Sequence, residues 1–139
     1  MIAIDTNALI YRVSEMSANL TPENRRLAKE AKTKFAQLYG KHERLAIPMP
    51  VLIEFANYLK NKFGRQKSIE TLDMLIADEN FKIVEAKEEF VNMAMAITDE
   101  YGTDFSDSLI YTILYANNIK KIFTYDKDFG KFPGIEIIR

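Results

Sequence analysis

Met1-Ile2-Ala3-Ile4-Asp5-Thr6-Asn7 opens the chain and runs into Ala8-Leu9-Ile10. Ile2-Ala3-Ile4 has no polar face, so it reads as a strand buried on both sides, the kind found inside a parallel sheet. Asp5 stands where that strand emerges, and ligands of open α/β sheets gather outside the carboxyl ends of strands. A carboxylate there could equally cap the helix that follows. What separates these readings lies further along the chain.

At 139 residues the chain has the length of one domain, 1–139, able to bury a core without staples. It contains no cysteine, which excludes disulfides, thiolate metal sites and thiol nucleophiles. There is no basic segment leading into an apolar run at the N-terminus and no apolar run of membrane-spanning length, so no membrane association is expected and a cytoplasmic location is.

Outward from the first strand, residues 6–13 read as a short helix and 14–20 as a polar connection. Thr21-Pro22-Glu23 starts a second helix with an N-cap, a proline at N1 and an acid in the first turn. Leu27, Ala31, Phe35 and Leu38 recur there at helical spacing, and Gly40 is expected to stop the run. His42, the sole histidine, has no partner histidine and reads as a surface residue. Residues 45–48 form a second strand, followed by a helix over 50–63 with Val51, Leu52, Phe55, Tyr58 and Leu59 on one arc. Glu54 falls at the edge of that arc, where favourable placement near the helix start is the plain explanation.

A helix over 68–77 is expected to turn Ile69, Leu72, Leu75 and Ile76 inward, and 81–84 is a third strand. Residues 87–101 are helical around Phe90, Ala94 and Ile97, with Met93 and Met95 as packing residues. Thr103-Asp104-Phe105-Ser106-Asp107-Ser108 opens the next helix, with Asp104 or Ser106 as its cap and Asp107 on the edge of its inward face. Strands at 121–124 and 135–138 flank the turn Tyr125-Asp126-Lys127-Asp128-Phe129-Gly130. Strands alternate with helices throughout, so the fold is α/β: a mostly parallel sheet with helices on both faces.

The net charge of −1 conceals an asymmetry. Residues 23–44 carry seven Lys and Arg against three acids, and residues 78–107 carry nine acids against two lysines. A basic surface beside an acidic site suits a polyanion handled through metal ions. Asp5, Glu54, Asp107 and Asp126 each follow a strand or open a helix, and in a parallel sheet all four project toward one edge. Two carboxylates about 5 Å apart repel by roughly 3 kcal/mol at an effective dielectric near 20, so such a group must raise its pKa values or take up a cation. Oxygen donors without Cys or a usable His select Mg²⁺ or Mn²⁺ over zinc or copper. The chemistry implied is metal-assisted phosphoryl hydrolysis.

Ile4-Asp5-Thr6-Asn7, Pro50-x-x-x-Glu54, Asp107-Ser108-Leu109-Ile110 and Thr124-Tyr125-Asp126-Lys127-Asp128-Phe129 resemble, in order and spacing, the four signature blocks of the PIN domain family. The overall size is similar to its VapC-type ribonuclease toxins. The resemblance implies a PIN-like three-layer α/β/α sandwich around four or five strands in the order 3-2-1-4-5, and Mg²⁺- or Mn²⁺-dependent endoribonuclease activity. By position it implies catalytic roles for Asp5, Glu54, Asp107 and Asp126, with Asp5, Asp107 and Asp126 as metal ligands. Thr6, Asn7 and Thr124 match small polar residues that order the site. Asp128 is an additional acid that could touch the metal or its water, and Asp104 is either a further member or a helix cap. Ser108 stands where the family usually has Ala, and Tyr125 where Arg is frequent, which puts carry-over of RNA preference in question. A small antitoxin protein and a homodimer are the partners implied, with Ile53, Tyr111 and Tyr115 as candidate interface residues.

Four other readings compete. An RNA-processing PIN nuclease with no antitoxin would share the chemistry, a dehalogenase-type phosphatase needs an acid at the position of Asn7, a receiver-like phosphoacceptor needs an Asp where Glu85 stands, and a non-catalytic binding module would be expected to have lost acids that this chain keeps.

Overall fold

The computed structural model describes residues 1–14, 17, 19–41 and 43–139; His42 and part of the 14–20 connection lie outside the described residues. Five strands, β1 (Ile2–Ile4), β2 (Leu45–Pro48), β3 (Phe81–Val84), β4 (Lys121–Phe123) and β5 (Glu136–Ile138), form one sheet in the order β3-β2-β1-β4-β5. Every pairing is parallel, with Ala3 opposite Ala46 on one side and Ile122 on the other. Successive residues of a strand face opposite sides, yet Ile2, Ala3 and Ile4 are all buried, so helices cover both faces of β1. The central strand is therefore the one whose sequence has no polar face.

The helices are α1 (Thr6–Val13), α2 (Pro22–Gly40), α3 (Met49–Phe63), α4 (Arg65–Ala77), α5 (Phe90–Tyr101) and α6 (Phe105–Ala116), with a short 3₁₀ turn over Lys127–Lys131. Thr21 caps α2 as its sequence suggests, its hydroxyl accepting from Asn24 N–H at 3.1 Å. Phe35 of α2 packs on Phe81 and Phe123, tying that helix to the sheet. Gly64 (φ +90°) separates α3 from α4, and Gly102 (φ +63°) ends α5 in the left-handed region. Gly40 does not: α2 runs through it and its cap is Lys41.

Side-chain directions depart from expectation at five residues. Ile69 and Ile76 are 51% and 59% exposed, because α4 turns Ser68, Leu72 and Leu75 inward instead. Ser68 satisfies its buried hydroxyl by donating to the Ala56 carbonyl of α3, so a polar residue occupies the inward position. Met93 and Met95 lie exposed on α5 and are not core packing. Tyr111 is buried, stacked 4.5 Å from Phe132 and donating to the Pro133 carbonyl, which removes it from any interface; Ile53 and Tyr115 are exposed.

Candidate active site at the carboxyl edge of the sheet

Consecutive strands run from β1 outward to β2 and β3, then return to β4 on the other side of β1. The crossovers therefore diverge between β1 and β4, and this is where open parallel sheets leave a crevice at their carboxyl ends. Asp5 follows β1 and Thr124-Tyr125-Asp126 follows β4, so both sides of the crevice carry acids. The backbone N–H of Asp5 still donates to Phe123 O at 3.0 Å, fixing the two strand ends against each other.

Asp5 occupies the N-cap of α1, as the capping reading expects, at the carboxyl end of β1. Its Oδ1 accepts from Thr6 N–H at 2.8 Å and its Oδ2 from the Thr124 hydroxyl at 2.7 Å. Burial to 6% exposure raises its pKa to about 6, opposed by those two hydrogen bonds and assisted by the charges of Glu54 and Asp126. The Thr124 hydroxyl also accepts from Asp126 N–H at 2.9 Å, and Asp126 Oδ1 accepts from Asp128 N–H at 2.9 Å. Asn7 Oδ1 accepts from Tyr125 N–H at 3.1 Å. Asn7, the second of the polar pair after β1, thus grips the loop after β4.

Glu54 reaches the same edge from the second turn of α3, at the exposed rim. The Thr6 hydroxyl donates to its Oε2 at 2.7 Å and the Ser106 hydroxyl to its Oε1 at 2.5 Å. Ser106, which reads in the sequence only as a possible cap, is therefore a second anchor for Glu54. The signal was its place one residue before Asp107 on the helix face that meets α3. Asp104 stands at the N-cap of α6 but makes no capping hydrogen bond, and its charge acts on Asp107 instead.

Asp107, in the first turn of α6, is half-buried. Desolvation, followed by the charges of Asp5, Asp126, Asp104 and Glu54, raises its pKa to about 7. Carboxylate oxygens of Asp107, Asp126 and Asp128 lie within 4.8 Å of one another. Asp5 adjoins this trio, with both of its oxygens occupied by protein donors. Two ligands of an octahedral ion at about 2.1 Å stand at most about 4.2 Å apart, so small side-chain adjustments would let the trio grip one ion. Among the described residues no Lys or Arg forms an ion pair with Asp5, Glu54, Asp107 or Asp126; Lys131 pairs with exposed Asp128 at 3.4 Å. A group of hard oxygen donors, two of which, Asp5 and Asp107, are pushed toward protonation, fits a hard divalent cation by its chemistry.

Ser108 points away from the crevice. Fully buried, it joins Thr98 at 2.8 Å and Thr103 at 2.7 Å in a hydroxyl chain linking the end of α5 to the start of α6.

Among solved structures, VapC20 of Mycobacterium tuberculosis, described as a sarcin-ricin-loop-cleaving toxin, is similar at a TM-score of 0.71 and 15% identity, over 98% of each chain. A chain of the VapBC2 complex of Rickettsia felis, bound to a DNA fragment from its promoter, is similar at 0.72 and 17% identity, over 99% of this chain and 98% of that one. A chain of a toxin–antitoxin complex from Klebsiella pneumoniae is similar at 0.67 and 20% identity, over 100% and 97%. At these identities the likeness speaks to the fold. Comparison with curated proteins yields no match. The model of the PIN domain matches residues 2–135, from the first strand to the approach of the last, and the chain belongs to the PIN domain family.

Proposed function

We propose that the protein is a Mg²⁺- or Mn²⁺-dependent endoribonuclease, a single-domain enzyme acting as the toxin of a type II toxin–antitoxin pair. The observation that carries this reading is the gathering of Asp107, Asp126 and Asp128 at the crevice between β1 and β4, with Asp5 and Glu54 near enough to raise the pKa of Asp107 and, among the described residues, no Lys or Arg paired with Asp5, Glu54, Asp107 or Asp126. A structural cluster would waste stability on such repulsion; a site that takes up a cation recovers it.

Asp107, Asp126 and Asp128 would hold the ion, with Asp5 completing the set from the floor of the crevice. When bound, a divalent ion supplies neutralisation of the phosphodiester and acidification of water. The protein's own groups do the remainder. Thr124 and the Thr6 N–H keep Asp5 oriented, and Thr6 and Ser106 hold Glu54 with both oxygens fixed at the rim, able to position water on the phosphorus. Hydrolysis would leave a 5′-phosphate and a 3′-hydroxyl.

The toxin role is supported by the likeness to a VapC toxin and to chains of toxin–antitoxin complexes. A small antitoxin protein would be the inhibitory partner, and exposed Ile53 and Tyr115 are available for a homodimer. No helix among the described residues is long and apolar enough to cross a membrane, in keeping with the cytoplasmic location proposed. The test is cleavage of a labelled single-stranded RNA with Mg²⁺ or Mn²⁺, with chelator, and with Asp5→Asn. Cleavage should require the ion and vanish in the variant; cutting at the wild-type rate by Asp5→Asn would refute the assignment.

A further inference from the structure

Tyr125 immediately precedes Asp126, and its backbone N–H is held by Asn7, which fixes its place in the chain next to the acids. The ring is partly buried, packed against Phe123 5.6 Å away. Tyr11 of α1 meets it edge to face, with centroids 5.1 Å apart, and the guanidinium of Arg139 lies 5.4 Å from its centroid. Parallel pairing of β4 with β5 brings Arg139 there, because Phe123 lies opposite Ile138. A groove of about 400 Å³ runs from this pair along α2, lined by Arg26, Lys29, Glu30 and Lys34. Arg26 pairs with Glu30 at 2.8 Å and cancels the one acid of the groove. Lys29, Lys34 and Arg139 are left as its net positive charge.

From this juxtaposition we infer that the Tyr125–Arg139 pair is a stacking platform for an unpaired RNA base, with Lys29 and Lys34 holding the phosphates beside it. The inference rests on the nuclease reading above and names how its substrate is held. The guanidinium of Arg139 lies over the Tyr125 ring, which is backed by Tyr11 and Phe123, so the pair offers the outer plane of the guanidinium, on which any base out of its stack can lie. A base inside an A-form duplex has both faces covered and cannot. An acidic peptide would satisfy the lysines but has no flat group for Tyr125.

The experiment measures anisotropy of a fluorescein-labelled single-stranded RNA with the full chain in EDTA, which silences metal-dependent cleavage. Tyr125→Ala should weaken binding about tenfold or more, Tyr125→Phe should restore it to within about twofold, and Lys29→Gln with Lys34→Gln should flatten the salt dependence by about one. The matching duplex should bind more weakly than the single strand. Unchanged binding by Tyr125→Ala, equal binding of duplex, or no binding of single-stranded RNA overturns the platform. So does an acidic peptide that binds through Tyr125 and is not displaced by RNA. Cleavage of the same RNA by the wild type in Mn²⁺ reports on the nuclease reading separately. Binding through Tyr125 without cleavage would sink that reading and keep the platform; cleavage with an unchanged KM in Tyr125→Ala would do the reverse.

Discussion

Replacing Asp107 with Asn removes one charge from a crowded group while leaving the shape of the side chain almost unchanged. The ordinary pKa of 3.8 is raised to about 7, chiefly by burial and then by Asp5 and Asp126. At about 1.4 kcal/mol per tenfold change in the protonation constant, this corresponds to about 4 kcal/mol against the ionised form. The group is only half-buried, and solvent screening reduces that by about half. Asp107 also lies in the first turn of α6, where an anion gains roughly 0.5 kcal/mol from the helix dipole. The net expectation is that Asp107→Asn stabilises the metal-free protein by about 1–2 kcal/mol at pH 7.5, roughly 3–6 °C in Tm for a chain of this size.

The sign with pH follows from the same shift. The folded state holds protons on Asp107 and Asp5 that the unfolded state releases, so their favourable contribution is complete below about pH 3.8 and is lost as pH rises through 6 to 7. The gain from the substitution should therefore shrink at pH 5. Saturating Mn²⁺ should reverse the ranking, because the wild type gains a bound ion and the variant loses a ligand. Thermal melts at pH 5 and 7.5, with EDTA and with Mn²⁺, read all four conditions. A variant less stable than wild type in EDTA at pH 7.5, or one that Mn²⁺ stabilises as much as wild type, would refute the reasoning.

Thr124→Val leaves Asp5 Oδ2 and the Asp126 N–H without their shared hydroxyl, and should cost about 2–3 kcal/mol of stability in a denaturant melt, as expected for unsatisfied buried polar groups. It should also raise the pKa of Asp5 further, visible by carboxyl-carbon NMR of the metal-free protein. Ser106→Ala removes one of two anchors of Glu54; stability should fall by less than about 1 kcal/mol, while RNA cleavage falls severalfold, measured as kcat at saturating RNA. Ser108→Ala breaks the hydroxyl chain to Thr98 and Thr103 and should cost about 1–2 kcal/mol with kcat unchanged.

β1 and β2 were legible as short apolar runs with both faces buried, β3, β4 and β5 as short β-branched or aromatic runs carrying one charged residue, and the direction of the sheet followed from the helices between them. The edge to which the acids project was legible for the same reason: in a parallel sheet every strand delivers its next residue to one side. Helix phases were less readable. In α4 the apolar weight of Ile69 and Ile76 points one residue away from the true inward stripe, which contains Ser68. Its burial depends on a carbonyl in α3 that no local pattern announces. Tyr111 looked free because α6 alone would expose it; the segment around Phe132 and Pro133 returns from beyond β4 to cover it. Ser106 went unread as an anchor because its partner, Glu54, is 52 positions away.

Sequence separation at the crevice has a consequence for how the molecule comes to life. The hydroxyl that orients Asp5 belongs to a residue 119 positions later, and β4 flanks β1 only after β2 and β3 have been laid down on its other side. Contacts so distant along the chain close late and slowly. A growing or partly folded chain can possess β1, α1 and Glu54 and still lack Asp126 and Asp128. The acids run from position 5 to position 128 of 139 residues, so the carboxylates of the proposed site come together as one set only with the docking of β4.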